Sequence, residues 1–146
     1  MRSKLLLGVA ASMIVTAAGC GGNAAAAVPK AVNANVSEFK ITSDAAKVSA
    51  GDVTFTISNK GAATHEFVVV KTDIAPDALP KTTDGLVAEG GALTKIDEVE
   101  DVTPGTSKTM TVKLEPGKYV FFCNLAGHYI GGMHGSVEVV AATAAN

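Results

Sequence analysis

Val53, Phe55 and Ile57 alternate with Asp52, Thr54, Thr56 and Ser58, the two-residue period of a strand with one buried face. Met110, Val112 and Leu114 alternate with Thr109, Thr111 and Lys113 in the same way. Phe67 to Val70 and Tyr119 to Phe122 are instead continuous apolar runs, as in strands covered on both faces. Val137 and Val139 flank Glu138 in a last strand, and shorter candidates lie at Val36 to Ile41 and around Val48. Thr103-Pro104-Gly105-Thr106 and Glu115-Pro116-Gly117-Lys118 place Pro and Gly at the central positions of type II turns. Six or seven short strands with such turns predict an all-β chain, a two-sheet Greek-key sandwich. Lys71 to Asp101 is long for a structureless loop, so a short helix or extra strand is expected there, with Leu86-Val87-Ala88 touching the core. Asp97, Glu98, Glu100 and Asp101 read as a solvated edge.

The first residues follow a different pattern. Arg2 and Lys4 precede an uncharged apolar stretch from Leu5 to Ala18, and Ala17-Ala18-Gly19 supplies the small side chains of a cleavage site. Residues 1–19 therefore read as an export signal, too short to span a bilayer. Ala17-Ala18-Gly19-Cys20 resembles the lipobox of bacterial lipoproteins, with Ala17 where Leu is more usual. That resemblance implies acylation of Cys20, which would anchor the protein to a membrane on the exported, periplasmic side. Ordinary cleavage in the Ala24 to Ala27 run is the competing reading and would give a soluble periplasmic or secreted protein. Residues 20–35, rich in Ala and Gly, read as a tether, and the folded domain is expected to span 36–146.

Composition narrows the class. A chain of 146 residues with 47% hydrophobic and 18% charged residues has room for one ordinary globular domain. Aromatics are only 5% and Trp is absent, so Val, Ala, Ile and Leu must build most of the core. A net charge of −2 argues against a nucleic-acid partner, and a monomer is expected. The two cysteines, Cys20 and Cys123, are too far apart for a zinc ribbon, a haem-attachment motif or a thioredoxin motif.

The chemistry concentrates in Cys123-Asn124-Leu125-Ala126-Gly127-His128-Tyr129-Ile130-Gly131-Gly132-Met133. Cys, His and Met recur there at C-x4-H-x4-M spacing, beginning at a strand end and closing before the next strand. His65, at the opening of the Phe67–Val70 strand, is a fourth candidate donor. Cysteine, two histidines and a methionine form the ligand set of a blue-copper centre, a Cys/His/His plane with a weak axial thioether. Soft sulfur favours Cu(I), while imidazole keeps Cu(II) acceptable. A structural zinc site would not normally use Met. His134, adjacent to Met133, should point the other way.

With these residues in place, the chain resembles the cupredoxins, small blue-copper proteins of the plastocyanin and azurin type. Tyr119-Val120-Phe121-Phe122-Cys123 looks like the family's strand into the cysteine, and Gly127-His128 like its Pro-Gly-His turn, with Ala126 in place of Pro. The ligand-loop spacing is most similar to rusticyanin's. The resemblance implies His65, Cys123, His128 and Met133 as ligands of one type 1 copper. Glu66 departs from the Asn that follows the first histidine in plastocyanin and azurin, where it helps tie the ligand loops together.

Four ligands leave no open position for a substrate, so an electron carrier serving redox partner proteins is expected rather than an enzyme. Copper delivery or buffering is the alternative, with His134 beside Met133 its only hint.

Overall fold

The computed structural model describes residues 28–142, and the export signal and Cys20 lie outside them. Nine strands follow in order: β1 (Ala31–Ser37), β2 (Lys40–Ser43), β3 (Lys47–Ser49), β4 (Gly51–Asn59), β5 (His65–Lys71), β6 (Thr94–Val102), β7 (Ser107–Leu114), β8 (Gly117–Phe122) and β9 (His134–Val140). They form a four-stranded sheet in the order β2-β1-β4-β7 and a five-stranded sheet in the order β3-β9-β8-β5-β6. β1 pairs with β4, and β3 with β9, in parallel; the other pairings are antiparallel. This is the all-β sandwich expected from the alternation pattern.

The alternating strands turn one face inward. Val53, Phe55 and Ile57 of β4 and Met110, Val112 and Leu114 of β7 meet Phe67, Val69, Tyr119 and Phe121 of the other sheet in one buried cluster. Phe67 stacks on Phe121 with ring centroids 5.1 Å apart. The continuous apolar runs of β5 and β8 are explained by a second cluster. Their other faces, Val68, Val70, Val120 and Phe122, are covered by Leu79, Val87, Leu93 and Tyr129. Each such side chain gains about 2 kcal/mol by leaving water, so a one-residue slip would lose several at once and the register is strongly specified.

The domain begins earlier than the sequence suggested. Residues 31–35, read as tether, are strand: Val32 and Ala34 are buried, and β1 runs parallel to β4 from Ala31 onward. Val28 and Pro29 are already held, their carbonyls accepting from the hydroxyl and amide of Ser49. Ala and Asn resemble linker composition, and a parallel partner twenty-odd residues away leaves no local signal.

The expected extra strand between Lys71 and Asp101 is β6, an edge strand that carries the acidic run. No helix forms there; residues 72–93 run irregularly, with a single bridge between Lys81 and Val87. Gly105, at φ 73°, completes the expected turn at Thr103–Thr106, where the Thr106 amide donates to the Thr103 carbonyl. Gly117, at φ 150°, lies outside the type II range and opens β8 directly.

Candidate metal centre

Two segments carrying four candidate residues converge at one end of the sandwich. His65 begins β5, Cys123 follows β8, His128 lies within the connection to β9, and Met133 immediately precedes β9. The approach to His65 is rigid because Asn59, buried at the end of β4, bonds in three directions. Its side-chain amide donates to the carbonyls of Ala63 and Val102, at 2.7 Å each, and its carbonyl accepts from the Gly61 amide at 2.8 Å.

The 123–133 loop is tied by its own backbone. The amide of Cys123 donates to the carbonyl of Met133 at 3.1 Å, and that of Met133 to the carbonyl of His128 at 3.0 Å. Three of the four sequence-predicted ligands are therefore linked through main-chain bonds. Gly131 and Gly132 let Phe39, from the β1–β2 turn, lie against the loop. A Cβ on Gly132 would sit 3.0 Å from the Phe39 carbonyl, and its φ of 113° is one that side chains rarely accept.

The donor atoms face one another. Nδ1 of His128 is 3.3 Å from Nδ1 of His65 and 3.3 Å from Sγ of Cys123. Donors about 2.0–2.3 Å from one ion, spread over a trigonal plane, would stand roughly 3.5 Å apart, so the spacing suits a metal. The chemistry of the set suits one as well. Two imidazole nitrogens and a sulfur cannot all satisfy one another by sharing protons, whereas a metal accepts all three lone pairs. Met133 is fully buried and belongs to the same apolar cluster as Cys123.

Burial favours the neutral forms of His65 and Cys123 before a metal arrives. Burial, then the neighbouring His128, push the His65 imidazole below its ordinary value, against a smaller upward pull from Glu38. Burial pushes the Cys123 thiol up, against weaker donation from the amides of Glu66 and Leu125. Binding a metal as thiolate thus releases a proton.

The surrounding contacts account for one departure from the family pattern and add residues the sequence did not mark. Glu66, standing where plastocyanin and azurin have Asn, still links the two ligand segments. Its carboxylate accepts the Asn124 amide at 2.6 Å, and its own amide lies 3.5 Å from the Cys123 sulfur. Asn124 pins the 72–93 segment, its side chain accepting from the amide of Val87 at 2.6 Å and donating to the carbonyl of Val87 at 3.2 Å. The Tyr129 hydroxyl pins it again, accepting from the Leu79 amide at 2.9 Å and donating to the Pro76 carbonyl at 2.8 Å. His134 stands apart from the donor cluster, its ring packed 5.3 Å from that of Tyr129. Glu38 and Phe39 also reach the site, although nothing in Ser37-Glu38-Phe39-Lys40 marks them beyond an aromatic residue in a polar turn.

A two-sheet sandwich carrying a His/Cys/His cluster at one end is the architecture of a blue-copper protein. The sequence matches the cupredoxin-like domain family over residues 9–137, and the chain belongs to that family. No curated protein matches it. Among solved structures it is similar to reduced auracyanin from the photosynthetic bacterium Roseiflexus castenholzii, at 26% identity and TM-score 0.59, covering 77% of this chain and 98% of that one. It is similar in fold to auracyanin A, a blue copper protein of Chloroflexus aurantiacus, at 20% identity and TM-score 0.51, covering 75% and 99%. Rusticyanin from Thiobacillus ferrooxidans matches at 14% identity and TM-score 0.53, covering 77% and 79%. Family and cluster together support one copper per chain, of type 1.

Proposed function

We propose that the chain is an exported electron carrier in which His65, Cys123, His128 and Met133 would hold a single copper, with the Met133 thioether as the weakest donor. The observation that carries this reading is the approach of His65 Nδ1 and the Cys123 sulfur to His128 Nδ1, each at 3.3 Å, within a cage already fixed by hydrogen bonds. When bound, copper supplies a one-electron Cu(II)/Cu(I) couple, and soft sulfur with imidazole accommodates both oxidation states. The protein's part is to hold the ligands still. Asn59, the Cys123–Met133–His128 backbone bonds and the Glu66–Asn124 bond all resist rearrangement when the charge changes.

His128 is the partly exposed member of the cluster. Around its loop lie the exposed apolar side chains Ile130 (61%), Phe39 (57%) and Leu125 (37%), with Phe39 set edge-on to the His128 ring at 6.1 Å. Such a patch dries at little cost and suits the brief contacts of a redox partner protein. The basic start, apolar run and Cys20 support export and a lipid anchor on the periplasmic side of a membrane. The delivery or buffering alternative draws no support from His134, which packs on Tyr129 instead of extending the donor set.

Voltammetry of the copper-loaded protein tests the carrier role. A reversible one-electron wave is expected; irreversible loss of metal on reduction would contradict it.

A further inference from the structure

His65 is fully buried, and its Nε2 has no hydrogen-bond partner among the described residues. Nδ1 of the same ring faces His128. An imidazole that offers Nδ1 as a lone pair must, when neutral, carry its proton on Nε2. That N–H is thus buried and looks for an acceptor. Oε1 of Glu38 lies 3.8 Å from it, just beyond hydrogen-bond range, and an adjustment of about 1 Å would close the bond.

The carboxylate is not there by accident of a floppy side chain. Its Oε1 accepts the amide of Ala62 at 2.6 Å and that of Ala63 at 2.7 Å. Gly61 leaves the necessary room, since a Cβ there would fall 2.6 Å from the same oxygen. The turn that delivers Glu38 is itself strained, with Phe39 at φ 61°, a left-handed conformation that is uncommon for a bulky residue. Strain of this kind persists where surrounding contacts over-determine it, often at functional sites. Here the two adjacent turn residues reach the two histidines, Glu38 towards His65 and Phe39 against His128.

We propose that Glu38 is a positioning residue of the metal centre. Its anchored carboxylate fixes the Nε2–H tautomer of His65 and places a negative charge beside a ligand, favouring Cu(II) and lowering the reduction potential. This deepens the copper reading and rests on it.

Glu38→Gln separates the role from simple loop capping, because the amide oxygen still accepts from Ala62 and Ala63 while the charge is gone. The copper-loaded variant should keep its blue absorption and its melting temperature. Its preference for Cu(I) over Cu(II) should rise on the order of tenfold, an upward shift of about 59 mV. Glu38→Asp, which keeps the charge, should fall between the two. An independent readout needs no variant: in the Cu(I)-loaded protein, NMR should show the His65 Nε2–H as a slowly exchanging proton. An unmoved potential in blue Glu38→Gln protein, or a rapidly exchanging Nε2–H, overturns the proposal alone. Wild-type protein that does not turn blue with copper overturns the ligand reading and this proposal together.

Discussion

The Glu66 carboxylate accepts the backbone amide of Asn124 at 2.6 Å, joining the residue after His65 to the residue after Cys123. Burial pushes the Glu66 carboxyl up, partly opposed by that same amide, so the bond forms in a half-buried setting. Glu66→Ala leaves the amide without its acceptor. A hydrogen bond of this kind is worth about 1–2 kcal/mol, the lower end applying where solvent reaches. The variant should melt a few degrees lower and surrender copper faster to a chelator. Equal melting and equal copper loss would show that the link is dispensable.

Met133→Leu should still bind copper, because a thioether would be the weakest of the four proposed donors. Leu conserves volume at this fully buried position, so folding should change by less than about 1.5 kcal/mol. Even from a soft donor, electron donation counts for more in the electron-poorer Cu(II) than in Cu(I), so losing the thioether should raise the potential on voltammetry. A fall would refute the axial role.

Ile130→Glu places a charge on the most exposed of the apolar side chains around His128 without touching a donor. The visible spectrum should be unchanged and electron exchange between two copies of the protein markedly slower. Unaltered exchange in a folded, blue variant would move the electron exit elsewhere, with the acidic strand β6 the next place to probe.

Cys20→Ser should release an otherwise membrane-bound protein while copper binding persists. Membrane fractionation with acyl-chain labelling checks this, and unlabelled wild-type protein in the soluble fraction would favour cleavage in the Ala24 to Ala27 run.

The sandwich was legible wherever one strand carries its own signal. Val53-Thr54-Phe55-Thr56-Ile57 declares its buried face by alternation, and the unbroken runs of β5 and β8 declare two. The candidate loop was legible because Cys123, His128 and Met133 are local, so spacing stands in for geometry. What escaped depends on partners distant along the chain. β1 is Ala- and Asn-rich and becomes a strand by lying along β4. The course of residues 72–93 is set by Asn124 and Tyr129, whose polar atoms substitute for regular strand pairing. Glu38 reaches His65 because the β1–β2 turn folds over the 61–63 segment, and no pattern within either stretch encodes that meeting.

The central claim, that Cys123 with His65, His128 and Met133 holds one type 1 copper, is tested most directly by titrating copper-free protein with Cu(II) and following visible absorbance. An intense blue thiolate-to-copper band should grow and saturate at one copper per chain, remain nearly intact in His134→Ala and be lost in Cys123→Ser. A pale complex, or a band that survives Cys123→Ser, would contradict it.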